Sequence, residues 1–441
     1  MIELMDLLKQ EDPVVLHSWL EDAPANEIAD QLARLEPFRR AIPFRLLHKD
    51  KAVVVFEEFD PPLQTELIEA LKDDSVRQLM EEIHPDDRAR LLDEVPAMVA
   101  KRLMAGLSPA ERALTASLLG YPERSAGRIM TPEYVSLRAS MTVQEAMVKV
   151  STQGRGAETI YTLPITDDRR TLVGMTSLRT LVLASMDELV GDLMEKQVVF
   201  VEATTDQESA ARLVQEANLL AIPVVDSECR LVGLITVDDA MEVIEEEESE
   251  DLARTGAAEP LGRPYLSSSV IRMARTRILW LLALVLAATL TVNVLHVFQG
   301  TLEKVATLAL FIPLLIDTGG NIGSQSATTV VRAMALGEVR FRDLPTVVFR
   351  EARVGLMLGA MLGVFALLPV SVFVGRQIAL VVAITLLVIC LFAAAAGAML
   401  PMLARRVGID PAIVSAPLIT TLVDAAGLVV YFLAAHLILG L

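Results

Sequence analysis

Apolar positions in the first 125 residues recur with a fixed period that prolines mark. Pro13 is followed by a proline at every 24th residue, and apolar residues keep fixed positions relative to these prolines. The five repeat prolines are Pro13, Pro37, Pro61, Pro85 and Pro109. Because proline is favoured in the first turn of a helix, each repeat predicts a helix start. The pattern therefore predicts a small α-solenoid of short stacked helices.

A second repeat, with a period of 59 residues, covers residues 130–248. Leu163-Pro164-Ile165 returns as Ile222-Pro223-Val224, and Leu172-Val173-Gly174-Met175 returns as Leu231-Val232-Gly233-Leu234. Each copy predicts a helix, two short strands around an acidic turn, and a final helix. The two copies therefore predict a pair of small α+β domains.

Long apolar runs fill the rest of the chain and predict five membrane spans. The predicted spans are Ile278–Phe298, Val305–Val331, Val354–Val374, Ile378–Leu403 and Pro411–Leu441. Arginines flank them almost entirely on one side, which the positive-inside rule assigns to the cytosol. We therefore expect the N-terminal domains to be cytosolic and the C-terminus to lie outside.

Charge is divided as unevenly as hydropathy. The 441-residue chain carries a net charge of −18; residues 1–271 carry −23 and the remainder +5. Seven of the ten residues from Glu242 to Asp251 are acidic. A nucleic-acid partner is excluded, because phosphate binding needs a basic face, whereas cations suit the acidic part. Cys229 and Cys390 favour neither a disulfide framework nor a cysteine metal site, and we expect no cleaved signal peptide.

Asp424 is the most informative residue of the membrane part, since it lies near the middle of the last span. An ionised carboxylate there costs at least ~2.5–3.5 kcal/mol, so it should face protein or a water-filled path. Thr420 and Thr421 offer oxygens one turn earlier. We favour a cation path, and the alternative is a neutral acid buried in helix packing.

The second span predicts a broken helix, because Pro313 and three glycines interrupt it. The three glycines are Gly319, Gly320 and Gly323. We call them the GGNIGSQ glycines, after the segment Gly319–Gln325 that contains them. Polar residues recur there at helical spacing: Asp317, Asn321, Ser324 or Gln325, and Thr328. They predict one polar stripe that faces protein or a cavity, with hydrogen bonding between helices as the alternative. Gly355, Gly359 and Gly363 in the third span predict a packing seam.

The available ligands narrow the cation. The spans contain no Cys/His cluster, and carboxylate, amide and hydroxyl oxygens suit hard ions such as Mg²⁺. One aspartate per chain is few for a divalent ion, but a two-fold dimer would bring two together.

The 59-residue repeat resembles a tandem pair of CBS domains. The second copy has Gly233, Thr236 and Asp239, which match that family's nucleotide-ribose pattern. The first copy has Thr180 where the pattern has an acid. The resemblance implies ATP as a possible ligand of the pair, through these three second-copy residues and Arg179.

The segments GGNIGSQ (Gly319–Gln325), DPAIVSAP…LVDAAGL and ERSAGRIMTPEYV resemble the MgtE family of magnesium channels, in the family's order along the whole chain. That resemblance implies a homodimer with a pore on the two-fold axis, closed when cytosolic Mg²⁺ binds the acidic domains. It implies Asp424 as the pore ligand and Asn321 as a pore-lining residue. The implied sensor ligands are Asp86, Asp87, Asp206, Glu208, Asp239, Glu247, Glu250, Asp251 and Asp410. Asn218 stands where an acid is expected.

Other classes of protein fit less well. Asp317-Thr318-Gly319 spells the motif of aspartic proteases, but that motif belongs to soluble β-folds, so we expect no enzyme. No lysine or arginine lies inside a span, which disfavours an anion channel, and phosphate-binding motifs of pumps are missing. A CBS-regulated transporter of Mn²⁺ or Co²⁺ stays open as the alternative.

The expected organisation is multidomain, in a bacterial inner membrane. It comprises an α-helical N domain (1–129), CBS domains (130–191 and 192–248), a connecting helix (249–271) and a five-helix transmembrane pore domain (272–441).

Overall fold

Short helices fill the first part of the computed structural model, which describes residues 4, 13–35, 37–71, 73–261, 268, 270–335, 337–414 and 416–441. The chain divides into two compact units. The acid-rich unit contains Met1–Glu247, and the membrane-helix unit contains Glu248–Leu261 and Ser269–Leu441. Each unit has its own hydrophobic core.

The solenoid helices begin where the sequence pattern places them. The five repeat prolines each occupy the first position of a helix, which confirms the predicted starts. The helices are α1 (Pro13–Asp22), α2 (Ala25–Ala33), α3 (Pro37–Phe44), α4 (Lys49–Glu57), α5 (Pro61–Ala70), α6 (Asp73–Glu82), α7 (Pro85–Glu94), α8 (Ala97–Gly106) and α9 (Pro109–Leu119). The residues seven positions after the first four prolines are all buried in one core: Leu20, Phe44, Ile68 and Leu92.

A polar side chain three residues after each later repeat proline ties neighbouring helices together. These side chains are Arg40, Gln64, Arg88 and Arg112. Arg40, Gln64 and Arg112 donate to the carbonyl eight residues earlier, at 3.1, 3.0 and 2.9 Å. All three arginines also donate to the carbonyl five residues earlier. Because helix ends leave carbonyls without partners, each repeat caps the helix before it.

The two α+β copies have the predicted order of elements. The strands are β1 (Thr162–Thr166), β2 (Leu172–Ser177), β3 (Val201–Glu202), β4 (Ala221–Val225) and β5 (Leu231–Thr236). β1 pairs with β2 and β4 with β5, both antiparallel, while β3 pairs with β4 in parallel. The helices are α10 (Val143–Gln153), α11 (Leu178–Leu183), α12 (Val190–Leu193) and α13 (Gln207–Glu216).

One continuous helix, α14 (Val237–Thr255), leads out of the second copy. It starts directly after β5 and includes the acidic run, so the expected boundary at 248/249 falls inside a helix. Of the expected connecting segment 249–271, residues 262–267 and 269 lie outside the described residues.

Five helices among the described residues are long and apolar enough to cross a membrane. Helices α15 (Val270–Val297), α17 (Ile312–Ala335), α18 (Leu344–Phe373), α19 (Arg376–Arg406) and α20 (Ala416–Leu439) carry these stretches, with the short α16 (Gln299–Lys304) after the first. The predicted glycine seam of α18 is confirmed, because a Cβ at Gly359 would lie 2.8 Å from Leu387 of α19.

The second span is a continuous helix, and the prediction of a broken one is wrong. Ala306–Phe311 forms a 3₁₀ segment, and α17 follows with Pro313 at its second position. Proline is tolerated there, because the first turn of a helix leaves its N–H groups unused. The GGNIGSQ glycines lie inside α17, and a Cβ at Gly320 would lie 2.6 Å from Thr420. These glycines therefore let the neighbouring helices approach closely.

Candidate ion-binding sites

The Asp424 carboxylate lies on α20, and its Oδ1 atom is buried without a hydrogen-bond partner among the described residues. Thr420 and Thr421 donate their hydroxyls to carbonyls of their own helix, at 2.9 Å each. Asp317 of α17 lies close enough for the two negative charges to repel each other. A carboxylate at this depth therefore needs a cation, water or a group of a second chain as its partner.

The polar residues of α17 form one stripe. Asp317, Asn321, Gln325 and Thr328 are exposed on the single chain, whereas Ser324 is half-buried. Of the two residues that the spacing allowed, Gln325 therefore continues the stripe. Amide and carboxylate groups are costly against lipid. This polar stripe must then face another protein surface or water.

Three carboxylates meet in the acid-rich unit. Asp86 lies in the first turn of α7, Glu158 in the segment before β1, and Asp239 in the first turn of α14. One oxygen of each lies within 4.8 Å of the others. Asp86 Oδ1 and Glu158 Oε2 are buried and have no hydrogen-bond partner among the described residues. We call these three residues the acid cluster.

The acid cluster is uncompensated in the part of the chain that the structure describes. The Thr236 hydroxyl lies within hydrogen-bond distance of Glu158 and Asp239, but no lysine or arginine pairs with the three carboxylates. Burial, together with neighbouring negative charge, raises the pKa of Asp86 and of Asp239 well above the usual range. A proton or a cation would therefore stabilise the cluster.

More ionisable groups border the acid cluster. Burial, with the charges of Glu57 and Glu242, raises the pKa of Asp87 to about 7. The main-chain N–H of His84 donates to Glu57 at 3.1 Å. The hydrogen bond between its ring and Glu133 raises the pKa of His84 to about 9, so the ring is charged at neutral pH. The solenoid thus brings both acids and one cation to the cluster.

Mg²⁺ fits the acid cluster by its donor chemistry. It prefers oxygen ligands and usually keeps several waters, so three carboxylates from three elements suffice. The two orphaned oxygens would gain the partner that burial denies them. Asp86, Glu158 and Asp239 would hold the ion, and its charge would join the solenoid to both CBS copies.

The predicted ligand Glu247 already has a cationic partner. Its carboxylate pairs with Arg124, and its neighbours Glu242 and Glu246 on α14 pair with Arg90. Among the described residues of the acid-rich unit, arginines thus neutralise much of the acidic run. These acids lie on the same helix as Asp239 but have a different environment.

The predicted pair Asp206 and Glu208 has local partners. Asp206 caps α13 by accepting from the main-chain N–H of Ser209 at 3.0 Å. Glu208 pairs with Arg212, one turn later, at 2.7 Å. These contacts are those of an ordinary capped helix, and the structure does not bring the pair to the acid cluster.

The remaining predicted sensor acids belong to the membrane-helix unit. Arg254, in the last turn of α14, pairs with both Glu250 and Asp410. Asp251 lies between Glu250 and Arg254 in sequence, and its main-chain carbonyl accepts from the Thr255 hydroxyl at 2.7 Å.

The residues predicted to bind a nucleotide do not leave a carboxylate free for it, because they contact other parts of the chain. A Cβ at Gly233 would lie 2.6 Å from the Met130 sulfur, so close packing explains this glycine. Thr236 and Asp239 both engage the acid cluster. In the first copy Thr180 is hydrogen-bonded to Ser177 at 2.8 Å. Arg179 is exposed beside it.

Sequence reasoning missed Glu158 and Glu57. Glu158 lies in an irregular segment, where no periodic pattern marks it, and it meets Asp86 only through tertiary structure. Glu57 ends α4, three helices before α7, which carries Asp86. The 24-residue period could have indicated only that Glu57 lies near the end of a stacked helix.

The comparisons with known proteins agree with this architecture. The MgtE family model, described as a divalent cation transporter, matches residues 312–434, and the MgtE intracellular N domain matches 23–124. The CBS domain model matches 126–187 and 190–246.

Curated relatives cover nearly the whole chain. A protein of Thermus thermophilus named magnesium transporter MgtE is 38% identical over 99% of this chain and 98% of its own length. One of Bacillus subtilis with the same name is 30% identical over 94% of each chain. A solved structure, the cytosolic domain of the Mg²⁺ channel MgtE in complex with ATP, has 35% identity and a TM-score of 0.52, and it covers 55% of this chain and 98% of that one. These relatives are transporters and not enzymes, and the chain belongs to the MgtE family of divalent cation transporters.

Proposed function

We propose that this chain forms a homodimeric, Mg²⁺-selective channel for magnesium uptake, which internal Mg²⁺ closes. The observation that carries the proposal is the buried, unpartnered Oδ1 of Asp424, near the middle of the last membrane helix. In a dimer two such carboxylates would meet on the axis and attract a hydrated divalent cation.

Exposed residues in both units support the dimer. In the membrane-helix unit, the polar stripe needs a partner other than lipid. In the acid-rich unit, two pairs of apolar residues related by the 59-residue period are exposed. Tyr161 and Leu220 are 65% and 59% exposed, and Val182 and Met241 are 57% and 65% exposed. Exposed apolar residues at matching positions of both copies favour a second copy of this chain as the partner.

Closure by internal Mg²⁺ follows from the driving force and the acid cluster. A membrane potential contributes ~2.3 kcal/mol per charge per 100 mV, so a divalent cation is driven inward by twice that. An open pore would overfill the cell. Mg²⁺ at the acid cluster would neutralise carboxylates that repel each other, and it would favour the arrangement that creates the site. Asp239 lies in the first turn of α14, and this helix continues into the membrane-helix unit.

We also propose that ATP binds the CBS pair, with one restriction. The related cytosolic domain is described in complex with ATP. In this chain the only acid of the two ribose patterns, Asp239, lies in the acid cluster. We infer that a nucleotide bound through Asp239 and metal binding at the cluster exclude each other. An ATP titration with and without Mg²⁺, repeated on Asp239→Ala, tests this; equal ATP binding in all four cases would refute it.

We also propose the orientation of the chain in the membrane and its domain boundaries. Basic residues on one side of the spans favour cytosolic acidic domains, a C-terminus outside and a bacterial inner membrane. We propose boundaries at residues 129, 191, 248 and 271, and α14 continues across the third of them.

The decisive experiment replaces Asp424. In sealed liposomes that contain a Mg²⁺ indicator, Asp424→Asn should lower Mg²⁺ influx at least tenfold, because both axial charges are lost. Asp317→Asn should have a smaller effect, and the exposed Glu338→Gln serves as the matched acid-to-amide control. Wild-type influx in Asp424→Asn would refute the pore assignment. Equal influx of Mn²⁺ or Co²⁺ would favour the alternative cation.

A further inference from the structure

An arginine in the last turn of α14 lies between two acidic side chains. Arg254 Nη1 pairs with Asp410, in the segment between α19 and α20, and Nη2 pairs with Glu250, one turn earlier on α14. The side chains of Arg254, Glu250 and Asp410 are 25%, 14% and 30% exposed, so the bridge is partly buried. It joins the end of the connecting helix to the membrane helices within one unit.

A guanidinium and a divalent cation can satisfy the same two carboxylates. Carboxylates that converge repel each other unless a positive charge lies between them. Arginine offers several N–H donors in a fixed planar fork and stays protonated at every physiological pH. Glu250 and Asp410 therefore have a covalently tethered cation where the family resemblance implies a metal.

We propose that Arg254 replaces a divalent cation at this position, so that the end of α14 stays bound to Asp410 when Mg²⁺ is absent. Mg²⁺ binds these two acids only after the guanidinium has been removed. The inference rests on the proposed function, because it concerns how internal Mg²⁺ closes the pore. Under this proposal, Mg²⁺ is needed to hold the first turn of α14 in place but not to hold its last turn.

Arginines also pair with the acids in the middle of α14. Arg90 pairs with Glu242 and Glu246, and Arg124 pairs with Glu247. Three arginines thus neutralise acids along this helix, while no lysine or arginine among the described residues pairs with the acid cluster at its start. The contrast indicates that arginine has taken over part of the role of the metal in this chain.

Hydrogen exchange of the full chain in lipid nanodiscs tests the proposal, read on the peptide that covers residues 248–258. In the wild type, the protection of this peptide should be the same in EDTA and in saturating Mg²⁺. In Arg254→Gln, protection in EDTA should fall about tenfold, the effect of losing charge-assisted hydrogen bonds. Mg²⁺ should restore it, because the metal then joins Glu250 and Asp410. Arg254→Lys, which keeps the charge without the fork, should fall between the two.

Two further variants sharpen the result. Arg342→Gln removes an exposed arginine of the same unit and should change nothing. Adding Asp410→Asn to Arg254→Gln removes the repulsion, so the Mg²⁺ effect on the peptide should disappear. Equal protection of wild type and Arg254→Gln in EDTA would overturn the proposal. So would an Arg254→Gln peptide that Mg²⁺ fails to protect, since the two acids would then bind no metal.

A flux measurement separates this inference from the proposed function. Arg254→Gln should conduct more than the wild type when internal Mg²⁺ is low and equally little when it is high. If Asp424→Asn conducts normally, the pore assignment fails, while the exchange result still decides the role of Arg254. If Asp424→Asn blocks flux and Arg254→Gln behaves as the wild type in exchange, only the present inference fails.

Discussion

Two groups of acids on the same helix have opposite surroundings. Asp239, in the first turn of α14, belongs to a buried cluster that no described lysine or arginine neutralises. Glu247, two turns later, accepts from Arg124 and from the Gln207 amide at 2.9 Å. Both residues are acids with the same predicted role, so the counter-charge makes the difference. A carboxylate with an arginine partner needs no metal, whereas a buried carboxylate without one needs a proton or a cation.

The largest effect is expected at the acid cluster. Asp239→Asn removes a buried negative charge but keeps the shape, so the metal-free acid-rich unit should become more stable by about 1–3 kcal/mol. The stabilisation by Mg²⁺, about 2.7 kcal/mol at a hundredfold excess over Kd, should be lost. Thermal unfolding of the full chain in detergent, with and without Mg²⁺, measures both.

Asp238→Asn is the matched control for that variant, because Asp238 is the exposed neighbour on the same turn. If Asp238→Asn removes the Mg²⁺ response as fully as Asp239→Asn does, the unpaired acids are not the ones that bind Mg²⁺.

The next effect is a pH dependence of the metal-free protein. The pKa of Asp87 is raised from 3.8 to about 7, so the folded chain binds the extra proton between these values and stability falls as pH rises through that window. The pKa of His84 is raised from 6.5 to about 9, and its stabilising charge is lost as pH rises between those values. Both losses have the same sign.

In EDTA the acid-rich unit should therefore be less stable at pH 8 than at pH 5, by about 2–3 kcal/mol from Asp87. His84 should add little, because solvent screens its partly exposed side chain. Saturating Mg²⁺ should reduce the difference, and Asp87→Asn should remove the part below pH 7. Melting temperatures of the full chain across this range are the measurement. A metal-free stability that rises with pH would contradict the assignment of these groups.

The smallest effect is expected at Glu208, although the family resemblance makes it a sensor ligand. Its partner Arg212 lies one turn away on the surface of α13, and such pairs contribute only about 0.3–0.5 kcal/mol. Glu208→Gln should leave the Mg²⁺ midpoint of flux inhibition unchanged. A shift as large as that of Asp239→Asn would show that counter-charge does not decide which acids sense the metal.

The helices of the solenoid could be predicted from the sequence, but the contacts that cap them could not. Proline starts and apolar spacing are local signals, and they placed all five repeat helices. Arg40 and Arg88 follow the same period, yet a polar residue in a helix normally indicates a solvated face. Both are completely buried because carbonyls of the preceding helix accept from them.

Tertiary packing also explains the error in the second span. Glycine and proline weaken an isolated helix, so the sequence favours a break. In the structure the GGNIGSQ glycines pack closely against α19 and α20, and that packing keeps α17 continuous.

The candidate sites were predicted in part. Asp424 stands out in the sequence because a charge in an apolar run is rare. Asp86 and Asp239 followed from the family resemblance, and the structure brings them together. Glu158 could not be found, because its role depends on an approach across the fold. Arg90 and Arg124 were missed because pairing between distant segments leaves no periodic trace.

The polar stripe on α17 also has a consequence for biosynthesis. A newly made chain leaves the insertion machinery alone, with an aspartate, an asparagine and a glutamine on the outer surface of a membrane helix. Until the second copy of the proposed dimer covers them, these groups retain water or distort the surrounding lipid. Unassembled chains would thus carry a mark that membrane proteases and chaperones can recognise, and the cell could remove orphan protomers before they leak ions.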